Sequence, residues 1–107
     1  MTNYDGRRFR KPGGLDGTVA RYFQDDDLVW AHVGGGHVRH GALTGTCERD
    51  GTLRLAYAFV LRGGELISGR TTSTPVVAPD GRIVLREEWQ RYGENAASGI
   101  SYLEEVR

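Results

Sequence analysis

Taken in steps of two, residues 82–90 separate into two faces. One carries Ile83, Leu85, Glu87 and Trp89; the other carries Arg82, Val84, Arg86, Glu88 and Gln90. Period-two alternation marks a half-buried strand, whose side chains point in turn to core and solvent. The same rhythm sets Leu53, Leu55, Tyr57, Phe59 and Leu61 against Arg54, Ala56, Ala58, Val60 and Arg62. It also sets Thr18, Ala20, Tyr22 and Gln24 against Val19, Arg21 and Phe23. Less regular runs at 4–11, 28–33, 37–47, 65–73 and 99–106 bring the expected strands to eight, the sixth stopping near Pro75. No stretch keeps apolar spacing at i, i+3, i+4 and i+7 over three turns, so no substantial helix is expected.

Turn formers separate these runs: Pro12-Gly13-Gly14, Asp25-Asp26-Asp27, Gly34-Gly35-Gly36, Asp50-Gly51, Gly63-Gly64, Pro79-Asp80-Gly81 and a polar loop at 93–97. Consecutive strands on short connections make an antiparallel meander, and closing eight of them into a barrel removes the exposed edges. The expected fold is all-β: one domain over 1–107, an antiparallel eight-stranded up-and-down β-barrel of the lipocalin or avidin kind. A small β-sandwich is the alternative. Such a barrel holds its own side chains and at most one small ligand.

Composition narrows the function. Fourteen basic and fourteen acidic side chains cancel in 107 residues, so no global field draws the chain to nucleic acid or to an anionic membrane. The one cysteine, Cys47, cannot form an internal disulfide, which points to a reducing cytoplasm. The N-terminal stretch lacks an apolar core of the secretory type, and no run approaches the ~18 apolar residues of a membrane span. No cofactor is expected: no Gly-x4-Gly-Lys-[Ser/Thr] loop occurs, and no helix follows the glycine pairs to supply a dipole.

Glu87 is the anomaly on an otherwise apolar face. An unpaired buried carboxylate costs several kcal/mol. Three readings stand: a general acid/base or polar anchor for a ligand, a carboxyl tied into a buried network, or a surface residue turned outward by a bulge. Tyr57 and Phe59 on the best-alternating face, and Tyr22 on another inner face, suit an aromatic pocket wall as well as ordinary core packing. Ser73 and Ser101 are candidate interior hydroxyls, with no nucleophile elbow around either. His32, His37 and His40 resemble a metal cluster in sequence. A Gly34-Gly35-Gly36 loop would set His37 against Val33, and a Gly34-Gly35 loop would set it against His32. Neither register presents all three on one face, so no metal is expected. Cys47 has no neighbouring base to make it a nucleophile.

The order of short motifs resembles a family of small bacterial β-rich proteins of about this length, often labelled N-acetylglutamate synthase. The matching elements are Val29-Trp30-Ala31, Gly35-Gly36, Gly64-Glu65-Leu66, Gly69-Arg70, Ser73-Thr74-Pro75, Pro79-Asp80-Gly81-Arg82, Glu87 with Trp89-Gln90, Ser98-Gly99 and Glu104-Glu105. The acetyltransferase fold in that label needs a larger α/β domain and a Gln/Arg-x-x-Gly-x-Gly/Ala loop. The nearest stretch, Gln90-Arg91-Tyr92-Gly93-Glu94-Asn95, ends in the wrong residue with no helix after it. The family is histidine-rich around positions 58 and 59, where this chain has Ala58 and Phe59. The resemblance implies a β-rich cytoplasmic bacterial protein and no transferable activity.

Three functions follow. The first is binding of a small apolar or aromatic metabolite by Tyr22, Tyr57, Phe59, Ser73, Glu87, Trp89 and Ser101. The second is a cofactor-independent enzyme of isomerase, cyclase or lyase type, with Glu87 moving a proton and Tyr57 donating to a developing oxyanion. The third is a self-associating protein, a homodimer through Leu28, Trp30 and His32.

Overall fold

Eight strands close on themselves in chain order, each antiparallel to the next and β1 antiparallel to β8. The computed structural model describes residues 2–14 and 16–107. The strands are β1 (Arg8–Arg10), β2 (Val19–Asp25), β3 (Leu28–Gly35), β4 (Val38–Cys47), β5 (Leu53–Leu61), β6 (Leu66–Val77), β7 (Ile83–Arg91) and β8 (Ala97–Val106). A 3-10 turn, Pro12–Gly14, follows β1. The up-and-down barrel expected from the alternation is the fold, and the sandwich alternative falls.

Alternation decides what points inward. Leu53 and Leu55 on β5, Ile83 and Leu85 on β7, and Val29, Ala31 and Val33 on β3 are all buried. The outer face keeps the ion pairs, such as Arg86 with Glu88 at 2.6 Å. Leu28, Trp30 and His32 lie on this outer face of β3. The Trp30 indole stacks on Phe23 at 5.8 Å between centroids, and His32 meets Phe23 edge-on at 5.5 Å.

One end of the barrel is sealed. Tyr4, expected in the first strand, instead turns inward and is fully buried, its hydroxyl donating to the Gly51 carbonyl at 2.6 Å. Gly6 takes a left-handed φ of 77° between Tyr4 and β1, a conformation that favours glycine, and so the strand shrinks to Arg8–Arg10. Tyr4, Phe9 and Tyr22 form an aromatic cluster, with centroids 5.1 Å apart for Phe9 and Tyr22. Glu105 is buried at the same end, where Arg7 Nη1 donates to both of its oxygens at 2.9 and 2.8 Å and the Ile83 N–H donates at 2.9 Å.

Other features also differ from expectation: β3 continues to Gly35 and β8 begins at Ala97, at the end of the expected polar loop. β6 runs through Pro75 to Val77, because beyond Ser73 it pairs only with β7 and a proline without N–H is tolerated on that free side. In the β3–β4 hairpin Gly35 pairs with Val38 and Val33 with Gly41, so neither expected register holds. Gly35 and Gly36 both take positive φ, and the pairing shifts again between Val38 and His40. His32, His37 and His40 are all exposed.

Candidate functional site

The opposite end of the barrel is open and leads into a cavity of about 380 Å³. Its wall is largely apolar: Phe9, Ala20, Val33, Leu43, Phe59, Ile67, Trp89 and Leu103. Polar atoms reach it from Tyr57, Thr71, Glu87, Arg91 and Ser101, with Arg10, Lys11 and Thr18 also lining it.

Three ring–glycine pairs explain why aromatic residues leave the interior open. Phe59 lies opposite Gly41, Tyr57 opposite Gly69 and Trp89 opposite Gly99 across adjacent strands. A Cβ on Gly41 would collide with the Phe59 ring. One on Gly69 would come within 2.7 Å of the Tyr57 hydroxyl, and one on Gly99 within 2.9 Å of the Trp89 indole. Each ring therefore lies over the neighbouring glycine, against the wall, and does not fill the axis. Tyr57 and Phe59 touch each other, with centroids 5.1 Å apart.

Glu87 faces inward, in a row formed by β6, β7 and β8: Ser73 pairs with Glu87, and Glu87 with Ser101. The Ser73 hydroxyl donates to Glu87 Oε2 at 3.1 Å. Among the described residues it is the only hydrogen-bond donor to that carboxyl. Burial pushes the Glu87 pKa from its ordinary 4.5 up to about 7, with the Ser73 hydrogen bond and the Lys11 charge pulling it partly back. The residue keeps some accessible surface because the cavity bounds it on one side.

Of the expected ligand residues, Tyr57, Phe59, Glu87, Trp89 and Ser101 line the cavity. Tyr22 and Ser73 are fully buried outside the lining, Ser73 reaching the site only through Glu87. The Tyr22 hydroxyl is buried without a partner, and burial, followed by the charge of Glu87, raises its pKa well above the ordinary value. The Tyr57 hydroxyl donates to the Gln90 carbonyl at 3.4 Å. Burial raises its pKa, and the Arg91 guanidinium beside it holds that rise back.

Sequence reasoning missed Thr71 and Arg91. The Thr71 hydroxyl, one step up the wall from Ser73, is buried with no partner. The Arg91 guanidinium lies 5.9 Å from the Trp89 ring centroid, with its Nε buried and unpartnered. Both share the phase of their inward neighbours, Ser73 and Trp89. Continuing the alternation by two residues would have found them.

The geometry defines a closed β-barrel with a cavity open at one end and a carboxyl set in its wall. A family model described as "Avidin-like protein" matches residues 2–106. The chain belongs to the avidin-like protein family. This overturns the resemblance to the proteins labelled N-acetylglutamate synthase: the shared motifs are short, and several of them, such as Val29-Trp30-Ala31 and Gly69-Arg70, are segments of the barrel's own strands. No curated protein matches the chain.

Proposed function

We propose that the protein binds a small molecule in the open half of the barrel, with its apolar or aromatic body between Tyr57, Phe59 and Trp89 and a polar head on Glu87. The carrying observation is an interior left open, at about 380 Å³. That volume falls within the several hundred Å³ of small-molecule pockets. Membership of the avidin-like family supports the same function. Tyr22 and Ser73 act from behind the wall, Ser73 by orienting the carboxyl.

Filling the cavity tests this. Ala20 lies in the apolar wall, and Ala20→Phe puts a ring where the ligand body would go. Neutral aromatic probes such as indole should raise the melting temperature of the wild type and leave Ala20→Phe unmoved. No shift in either protein, across a panel of apolar and aromatic compounds, would reject binding.

An enzyme using the same cavity is the second reading, favoured by the placement of Glu87 in the cavity wall with Ser73 alone donating to it among the described residues: burial there raises its pKa to about 7, which suits proton transfer at neutral pH. Glu87→Gln would then keep ligand affinity and lose turnover. We also propose a cytoplasmic location, on the single buried cysteine. A homodimer through the outer Trp30–Phe23 surface is the remaining proposal, and sedimentation of wild type beside Trp30→Arg checks it.

A further inference from the structure

We propose that the head group received at Glu87 is a planar nitrogen cation, an amidinium or guanidinium carried on a small aromatic or alicyclic body. This rests on the binding function above and specifies the chemical class of its ligand.

What a glutamate offers here that a glutamine or serine cannot is negative charge on two coplanar acceptor oxygens. Amidinium and guanidinium groups match that shape with parallel N–H donors, which makes the pairing both strong and directional. Among the described residues, no guanidinium forms an ion pair with Glu87: the ion pairs join Arg7–Glu105, Arg10–Glu104, Lys11–Asp16, Arg54–Glu48, Arg82–Asp80 and Arg86–Glu88. Ser73 alone donates to the carboxyl, through a neutral hydroxyl at one oxygen. Thr71, whose hydroxyl is buried in the cavity wall without a partner, and Ser101, opposite Glu87 on β8, add acceptors for further N–H groups. The faces of Tyr57, Phe59 and Trp89 suit a flat cationic body, since aromatic rings attract positive charge to their faces.

Among the described residues, Glu87 shares the cavity lining with three cations, Arg10, Lys11 and Arg91, of which the first two have acidic partners elsewhere. β2 brings the Tyr22 phenol and β5 the Tyr57 phenol, both with raised pKa values and therefore neutral. β3 and β4 bring Val33 and Leu43, while β6 and β8 bring hydroxyls and Leu103. Glu105 on β8 is bound by Arg7 at the sealed end. Of the cations, Arg10 is held by Glu104 at 3.1 Å, while Lys11, 3.9 Å from Asp16, also reaches Glu87 with its charge without forming an ion pair with it. Arg91 spreads its charge near the Trp89 ring. Among the described residues, Glu87 is the one acidic group in the cavity lining.

Calorimetric titration of the intact protein with benzamidine, benzamide and benzoate tests the inference. The three share a ring and differ in charge. Benzamidine should bind tightest at about pH 8 and about tenfold more weakly at about pH 6, where the carboxyl must first lose its proton. Glu87→Gln should remove the preference for benzamidine over benzamide. The pH dependence is read on the wild type, so the test holds even if that variant fails to fold. Benzamide binding as tightly as benzamidine at about pH 8 would overturn the cation and leave the cavity's binding function standing. Benzoate binding tightest would overturn it in favour of the rim cations. If none of the three binds, the cation falls; if indole also fails to bind, the binding function falls with it.

Discussion

The two ends of this barrel use the same alternation to opposite effect. At the sealed end Tyr4, Phe9 and Tyr22 interlock, with Phe9 also forming part of the cavity wall, and the buried acid there, Glu105, has both an arginine and a backbone N–H. At the open end the aromatic rings lie over glycines, and the buried acid, Glu87, has a single hydroxyl. The first arrangement is what stability requires of a buried carboxylate. The second keeps an ionisable group at a cost and leaves space beside it, as a binding site does. Two glutamates on inward faces of adjacent strands thus sit in opposite settings, one paired and one not.

Removing the seal should have the largest effect. Tyr4→Ala empties a fully buried aromatic position and loses the hydroxyl's hydrogen bond to Gly51. A loss of about 3–5 kcal/mol is expected in urea unfolding. A much smaller loss would mean that the N-terminal segment does not close the barrel.

Next comes the open-end carboxyl. Its folded-state pKa, about 7, is raised above the ordinary 4.5, so the folded chain holds a proton that the unfolded chain gives up. The resulting penalty is absent below about pH 4.5, grows as pH rises, and is complete above about pH 7. Wild type should therefore lose roughly 3 kcal/mol relative to Glu87→Gln across that window, with the variant melting higher at about pH 8. The lowered pKa values of Asp16, Asp50, Asp80 and Glu104 act at more acidic pH and are common to both proteins.

A smaller effect is expected at the ring–glycine pairs. Gly99→Ala pushes on the Trp89 indole and should cost about 1–3 kcal/mol, as overpacking does. It should also change the tryptophan emission in a Trp30→Phe background. The smallest effect lies one residue from Glu87 on the outer face. Glu88→Gln removes an exposed ion pair with Arg86 and should leave the melting temperature unchanged.

Much of this architecture is legible in the sequence. The alternation in 53–61 and 82–90 carried the inward faces, and short turns carried the up-and-down order. Tyr4 was not legible, because a residue that leaves its strand to plug a barrel end obeys no period. Nor was the β3–β4 register, which depends on two left-handed glycines and a bulge. Glu87 stood out as the one charge in an apolar phase. Its surroundings did not, since the ring–glycine pairs join residues far apart in sequence and become visible only once strand register is known.

The most direct test is the titration of the Glu87 side-chain carboxyl, followed by carbon NMR on the wild-type protein. A midpoint near 7 is expected, absent from Glu87→Gln, for a carboxyl set deep in the barrel without a cationic partner. A midpoint at the ordinary 4.5 would contradict the account, because the carboxyl would then be solvated or already paired, and the open end would have no special chemistry.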